Sequence, residues 1–93
     1  MAKFTTRVEL HAATEEDYEN LHAAMEAAGF SRTIEASDGV SYLLPPAEYN
    51  RSGGFTVKQV LDSAETAART TGKRFSILVT EGNRQWMNLQ PAD

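Results

Sequence analysis

Two histidines are the side chains of this 93-residue sequence best suited to proton transfer near neutral pH. His11 ends the first strand-like segment, and a histidine at a strand end beside a loop is a candidate general acid or base. His22 falls on the apolar stripe of the first predicted helix, which is typical of a histidine at the edge of a core. The two do not share a metal-ligand spacing and the chain has no cysteine. We therefore expect no metal site, no thiol nucleophile and no cofactor.

Basic side chains spread along the chain are candidates for contacts with RNA phosphates. They are Arg7, Arg32, Arg51, Lys73, Arg74 and Arg84. The net charge of −4 argues against a general polyanion binder. The charge is uneven, however, because Val8 to Ser31 contain no Lys or Arg, whereas basic residues predominate from Arg69 to Arg84. This distribution suits an RNA-binding face or acid-to-base contacts between copies of the chain. Alternatively, the scattered arginines have no ligand and only keep the surface solvated.

Other clusters have structural explanations. The acidic residues Glu15, Glu16, Asp17 and Glu19 fall in the first turns of a predicted helix, where free backbone N–H groups favour carboxylates, and they point in several directions. No Gly-x-Ser-x-Gly elbow marks a serine nucleophile. The Ser52-Gly53-Gly54 run lacks the Lys-Ser/Thr ending of a phosphate-binding loop.

The elements that must position these residues begin with a strand and a helix. Lys3 to His11 alternate apolar and polar residues, which predicts a half-buried strand. Thr14, with Asp17 at the capping-box spacing, predicts the start of a helix that ends at Gly29. Its expected buried stripe is Tyr18, Leu21, His22, Met25 and Ala28.

A hairpin and an irregular stretch are predicted next. Phe30 to Glu35 and Val40 to Leu44 are strand-like and flank a turn signal at Ser37-Asp38-Gly39. Pro45-Pro46 ends the second strand, because proline donates no ladder hydrogen bond. We expect Pro45 to Gly54 to be the least regular part of the chain.

The last third of the chain predicts a helix and a strand, followed by a further short strand. Thr56, with Gln59 at the capping-box spacing, opens the helix and Gly72 closes it. A strand follows through Phe75, Ile77 and Val79, and a short C-terminal strand is expected around Trp86. The expected buried stripe of the helix is Val57, Val60, Leu61, Ala64 and Ala68.

This order predicts a single α+β domain over residues 1–93 with the ferredoxin-like βαββαβ arrangement. Two helices would cover one face of an antiparallel sheet, and an extra C-terminal strand is placed to extend the sheet of a partner copy. An uncovered sheet face suits RNA, a ligand or a second copy, and we expect a homodimer. Without a long apolar segment or an export signal, we expect no membrane association and a cytoplasmic location.

The ordered residues also resemble a known family. Asp17-Tyr18, the run from Phe30 to Ile34, Asp38-Gly39, Leu44-Pro45 and Tyr49 resemble the GhoS family, the antitoxins of type V toxin–antitoxin systems. The similarity extends from about Phe4 to Val79, and the tail from Asn83 onward lies outside it. The resemblance implies a ferredoxin-like fold and an endoribonuclease that cleaves the messenger RNA of a small membrane toxin.

The family is similar in fold to a small dimeric CRISPR-associated nuclease that carries a metal-binding aspartate at the end of its first strand. Here the equivalent stretch is Leu10-His11-Ala12, so a metal-dependent mechanism is not expected. Because Arg32 falls in the best-matched segment, the resemblance makes it the first candidate for RNA contact.

Two functional hypotheses follow. In the first, the chain is a metal-free antitoxin endoribonuclease with His11 and Arg32 as catalytic residues and RNA contacts from Arg7, Arg51, Lys73 and Arg74. Arg7 and His11 would lie about 13 Å apart along the strand, too far to share a phosphate unless His11 turns inward or a second chain contributes. In the second, the chain is a non-catalytic dimeric module that binds RNA or protein. A small-ligand sensor is a third alternative, without a supporting motif.

Overall fold

The computed structural model describes residues 1–92 and has a small α+β fold. Two helices and five strands follow one another in the order β1 (Ala2–Leu10), α1 (Glu15–Ala27), β2 (Thr33–Glu35), β3 (Ser41–Leu43), β4 (Glu48–Gly53), α2 (Val57–Arg69) and β5 (Phe75–Glu81). The strands form an antiparallel sheet with the order β4-β1-β5 and a separate two-stranded sheet of β2 and β3. The α+β class expected from the sequence is therefore confirmed.

The central strand β1 separates the core from a helix-free face of the sheet. Phe4, Val8 and Leu10 are buried against the helices, as the alternation predicted. Residues opposite one another on paired strands share a face, so the intervening positions of β1 lie together with their partners on β4 and β5. We call this the helix-free face; it comprises Lys3, Thr5, Arg7, Glu9, Glu48, Asn50, Ser52, Ser76, Leu78 and Thr80.

Both helices begin where the sequence predicted, at capping boxes. The Thr14 hydroxyl accepts from the Asp17 N–H while the Asp17 carboxylate accepts from the Thr14 N–H, and Thr56 with Gln59 repeats the arrangement on α2. Each helix has 13 residues, and no helix within residues 1–92 has the length and apolar character required to cross a membrane. Leu21 and Met25 are fully buried on α1.

The buried stripe of α2 is rotated from the predicted one. Val57 and Leu61 are 40% and 37% exposed, so their prediction as core residues is wrong. Val60, Ala64 and Ala68 face the core as predicted, and Ala67 joins them there. Alanines on this side let the helix lie close to the sheet, and the bulkier side chains then fall at the edge of the contact.

β4 is the element that the sequence did not predict. Pro45 to Gly54 were expected to be irregular, yet Glu48–Gly53 form a strand that pairs with β1 along six positions. The helix-facing positions of this strand are Tyr49, Arg51 and Gly53. Because an arginine and a glycine stand where an apolar alternation would be expected, the usual strand signal is missing.

The predicted C-terminal strand is absent from residues 83–92. The segment instead runs along the outer edge of β3, where the Leu43 N–H donates to the Gln90 carbonyl (2.8 Å) and a single bridge joins Tyr42 to Pro91. Pro91 has no N–H to continue a ladder, and Asn88 has a left-handed φ of 64°. Trp86 therefore packs within its own chain, on Tyr42, rather than forming an edge strand.

Candidate functional site

A histidine–tyrosine pair links α1 to β4. Nδ1 of His22 lies 2.6 Å from the Tyr49 hydroxyl, and the two rings are tilted by 58° with centroids 5.7 Å apart. Burial raises the pKa of Tyr49 far above its ordinary value, so the phenol stays protonated. If Nδ1–H donates to the Tyr49 oxygen, Nε2 is left as a base. If the phenol donates instead, Nε2 carries the proton and can act as a donor.

The surroundings of His22 favour its neutral form. Partial burial lowers the pKa of His22 first, and the positive charge of Arg32 lowers it further. The carboxylates of Glu26 and Glu19 act in the opposite direction without reversing the shift. A neutral imidazole held by one nitrogen is the state that a general base requires at neutral pH.

His22 and Arg32 line one surface depression of about 490 Å³, which we call the histidine depression. The backbone of Arg32 is fixed because its carbonyl accepts from the Leu44 N–H at 2.8 Å. Its guanidinium forms no salt bridge within residues 1–92. The remaining lining residues are Ala13, Thr14, Glu15, Tyr18, Glu19 and Pro46. The depression therefore combines a neutral imidazole with an arginine that has no carboxylate partner there.

His11 is not part of this depression. His11 is exposed, and its ring Nε2 lies 3.0 Å from the Ser76 hydroxyl. Its backbone N–H donates to the Arg74 carbonyl at 2.9 Å. Those contacts place it on the β5 side of β1, whereas Arg32 lies on the hairpin side, next to α1. Within residues 1–92, Arg32 lines the histidine depression and His11, with which it was predicted to act, does not.

The four predicted RNA-contact residues do not share one surface. Arg7 lies on the helix-free face, 3.8 Å from the Glu48 carboxylate. Arg51 lies on the opposite face, since it pairs with Phe4 in the sheet register. Lys73 is 3.6 Å from the Asp17 carboxylate, and the side chain of Arg74 is exposed on the loop before β5.

Arg51 has structural contacts that the sequence did not reveal. Its guanidinium donates to the Ala28 carbonyl at 2.8 Å and stacks on Phe55, 4.3 Å from the ring centroid. The Phe30 ring forms a second cation–π contact with the Arg51 guanidinium, with its centroid 5.1 Å away. These contacts close the end of the core between α1 and β4.

Asp17, one of the acidic residues at the start of α1, forms the helix cap with Thr14. The hydrogen bond from the Thr14 backbone N–H lowers the pKa of Asp17, with smaller contributions from the Thr14 hydroxyl and Lys73. No group of three or more His, Asp or Glu side chains is arranged for metal binding in the part of the chain that the structure describes.

His22 and Tyr49 are the site residues whose importance the sequence did not predict. They lie 27 positions apart and belong to elements of different type, one of which was not predicted. No local spacing could indicate their contact. The only signal was a histidine on an otherwise apolar helix stripe.

Fold and site together define the class: a small α+β domain with a histidine–arginine depression between α1 and the hairpin. In comparisons with known proteins, the sequence matches no protein-family model and no curated protein.

Proposed function

We propose that this chain is a GhoS-like antitoxin that cleaves RNA without a metal ion at the histidine depression. One observation carries the proposal: a partly buried imidazole, oriented by Tyr49, lines the same depression as a guanidinium without a carboxylate partner. RNA carries its own nucleophile, the 2′-hydroxyl, so a base and a cation are the groups that a protein must supply.

The chemistry assigns one step to each side chain. Nε2 of His22 accepts the proton of the 2′-hydroxyl, and the 2′-oxygen forms a bond to the adjacent phosphorus. The bond from phosphorus to the 5′-oxygen breaks, and that oxygen takes a proton from water. Arg32 stabilises the charge on the non-bridging oxygens. The products are a 2′,3′-cyclic phosphate and a 5′-hydroxyl.

The strand arrangement supports a ferredoxin-like origin for the fold. In addition to the order β4-β1-β5, a bridge two residues before β2 joins the outer edge of β4. Ser31 and Asn50 exchange backbone hydrogen bonds of 2.8 and 2.7 Å there. If β2 is counted at that edge, the order becomes β2-β4-β1-β5. We propose that this corresponds to the ferredoxin-like order, with β3 as an added strand.

The biological setting is proposed from the resemblance alone. It comprises the messenger RNA of a small membrane toxin as substrate, a homodimer and a cytoplasmic location. In this proposal His22 takes the role predicted for His11, and Arg32 keeps its predicted role. A catalytic role for His11 stays the alternative prediction. RNA contacts through Arg7, Arg51, Lys73 and Arg74 also stay predictions.

A non-catalytic dimeric module that binds RNA or protein is the second candidate. Leu78 favours it, because this large apolar side chain is 65% exposed on the helix-free face, opposite Arg7. Such a side chain suits contact with a partner.

The test is incubation of the pure protein with a mixed RNA pool, with and without EDTA, followed by mapping of the cut ends. His22→Asn keeps a polar group that can bond to Tyr49 but removes the base, and we expect cleavage to fall by about 10²–10⁴-fold. His11→Asn is the matched control for His22→Asn. Arg69→Gln, at an exposed residue of α2 paired with Glu65, is the control for Arg32→Gln.

Cuts that survive EDTA, carry cyclic phosphates and are lost in His22→Asn and Arg32→Gln but not in the controls would support the proposal. If His11→Asn abolishes the cuts and His22→Asn does not, the catalytic histidine is His11, as the sequence predicted. A folded wild-type protein that makes no cuts would favour the dimeric module.

A further inference from the structure

A second depression of about 530 Å³ lies between the hairpin, the start of β1 and the C-terminal segment. We call it the tryptophan depression. Its lining residues are Lys3, Ile34, Glu35, Ala36, Ser37, Tyr42, Asn83, Arg84, Gln85 and Trp86. None of them lines the histidine depression. Four of its ten lining residues follow β5 and lie outside the part of the chain that resembles the GhoS family.

Two aromatic rings, those of Trp86 and Tyr42, line this depression. Trp86 and Tyr42 pack with ring centroids 5.9 Å apart and a tilt of 58°, so each ring supports the other. Both side chains are only partly buried. A supported indole that is still reachable from solvent is suited to stacking on another planar group.

The depression also carries positive charge. Nη1 of Arg84 donates to the Phe4 carbonyl at 3.0 Å and to the Thr5 hydroxyl at 3.2 Å. The other guanidinium nitrogens form no hydrogen bond within residues 1–92, so a fixed arginine has donors left for an anion. Lys3 adds a second cation, and Glu35 is the one carboxylate in the lining.

Two side-chain amides, those of Asn83 and Gln85, also line the depression. Each amide has both donors and an acceptor, which is the chemistry that base edges require. Planar stacking, amides and paired cations together match a nucleotide that has left its base stack.

We propose that the tryptophan depression binds one unpaired nucleotide of a single-stranded RNA, with the base stacked on Trp86 and a phosphate held by Lys3 and Arg84. The inference rests on the proposed function in taking RNA as the ligand. It adds a binding subsite apart from the cleavage residues.

The location of this subsite connects it to the cleavage site. Ile34 lines the tryptophan depression and Arg32 lines the histidine depression, and they are two residues apart on one segment. Two residues of extended chain span at most about 7 Å, so the two depressions flank the same short stretch of backbone. A nucleotide held at Trp86 would therefore anchor the strand close to His22 and Arg32.

Trp86 itself supplies the measurement, because it is the only tryptophan in the chain. The probe is a 2′-O-methyl oligoadenylate hexamer, which cannot undergo cleavage through the 2′-oxygen. We expect titration to quench the Trp86 fluorescence to saturation. An abasic phosphodiester oligomer of the same length should quench little, and a duplex hexamer should quench little, because neither offers an unpaired base.

Variants separate the stacking from the charge. Lys3→Gln and Lys58→Gln remove the same charge, but Lys58 is an exposed residue of α2 paired with Asp62. We expect Lys3→Gln to weaken binding about tenfold and Lys58→Gln to leave it unchanged. Trp86→Leu, measured by the anisotropy of a labelled hexamer, should weaken binding by roughly tenfold or more. Trp86 lies outside the main core cluster, so the variant keeps the core residues in place.

The subsite and the cleavage proposal fail in different ways. Absence of quenching, equal quenching by the abasic oligomer, or equal affinity of Lys3→Gln and Lys58→Gln would overturn the subsite even if the protein cuts RNA. Quenching by a folded wild-type protein that makes no cuts in RNA would retain the subsite and reject the cleavage proposal. With both correct, Trp86→Leu raises the KM for single-stranded RNA and leaves kcat nearly unchanged.

Discussion

Nδ1 of His22 and the hydroxyl of Tyr49 lie 2.6 Å apart, and this hydrogen bond joins the middle of α1 to β4. Tyr49 is completely buried, and its hydroxyl is hydrogen-bonded to the partly buried His22. The bond gives the imidazole a fixed orientation and satisfies a phenol that would otherwise be buried without a partner. One contact thus contributes to the stability of the fold and to the chemistry of the histidine depression.

The first prediction concerns the pH dependence of stability. The pKa of His22 in the folded protein is below its ordinary value of 6.5, chiefly through desolvation and then through Arg32. The unfolded chain therefore binds this proton more readily than the folded one. The contribution of neutral His22 to the free energy of unfolding is fully present above pH 6.5. It is lost as the pH falls through the lowered pKa of His22 in the folded protein.

Urea unfolding at pH 7.5, 6.5 and 5.5 measures this effect. We expect the free energy of unfolding to fall with pH in the wild type and to fall less steeply in His22→Asn, with His11→Asn as the control. The Asp17 carboxyl, whose pKa is also lowered, contributes only at more acidic pH. Parallel curves for the wild type and His22→Asn would contradict the prediction.

The second prediction compares how much Arg51 and Arg7, which lie on opposite faces of the sheet, contribute to stability. Arg51→Ala removes a hydrogen bond to the Ala28 carbonyl and the stacking on Phe55, and we expect a loss of about 2 kcal/mol. Arg7→Ala removes only an exposed pair with Glu48 and should cost less than about 0.5 kcal/mol. Chemical denaturation of both variants gives the comparison, and equal losses would rule out the structural role assigned to Arg51.

The third prediction uses two adjacent glycines. Gly53 has a φ of 147°, and a Cβ there would lie 2.6 Å from the Phe55 ring, whereas a Cβ on Gly54 would meet nothing within 4 Å. We expect Gly53→Ala to destabilise the protein by about 1–3 kcal/mol through backbone strain and displacement of Phe55. Gly54→Ala should be neutral or slightly stabilising. Thermal unfolding of the pair is the measurement, and a Gly53→Ala protein as stable as Gly54→Ala would refute it.

The fourth prediction concerns the capping box of α1. Thr14→Ala removes the hydroxyl that accepts from the Asp17 N–H, and we expect a loss of about 1 kcal/mol. For a domain of this size the melting temperature should fall by about 4–8 °C. Thr14→Ser keeps the acceptor and is the matched control. If serine and alanine destabilise equally, the hydroxyl is not the stabilising group.

The sequence alone determined the elements that rely on local signals. Both capping boxes, the buried stripe of α1 and the alternation of β1 depend on residues within one or two turns or along one strand, so their spacing was sufficient to predict them. The α+β class followed from those elements. The presence of the hairpin also followed, although its strands are shorter than predicted.

Tertiary structure alone decided β4, the rotation of α2, the course of residues 83–92 and the composition of the candidate sites. β4 exists because its backbone pairs with β1, and its helix-facing side, with Tyr49 and Arg51, is complete only when α1 and Phe55 pack on it. His22 meets Tyr49, and Trp86 meets Tyr42, across 27 and 44 positions of chain. Contacts between residues so distant in sequence depend on how the elements pack, and no spacing within a single element encodes them.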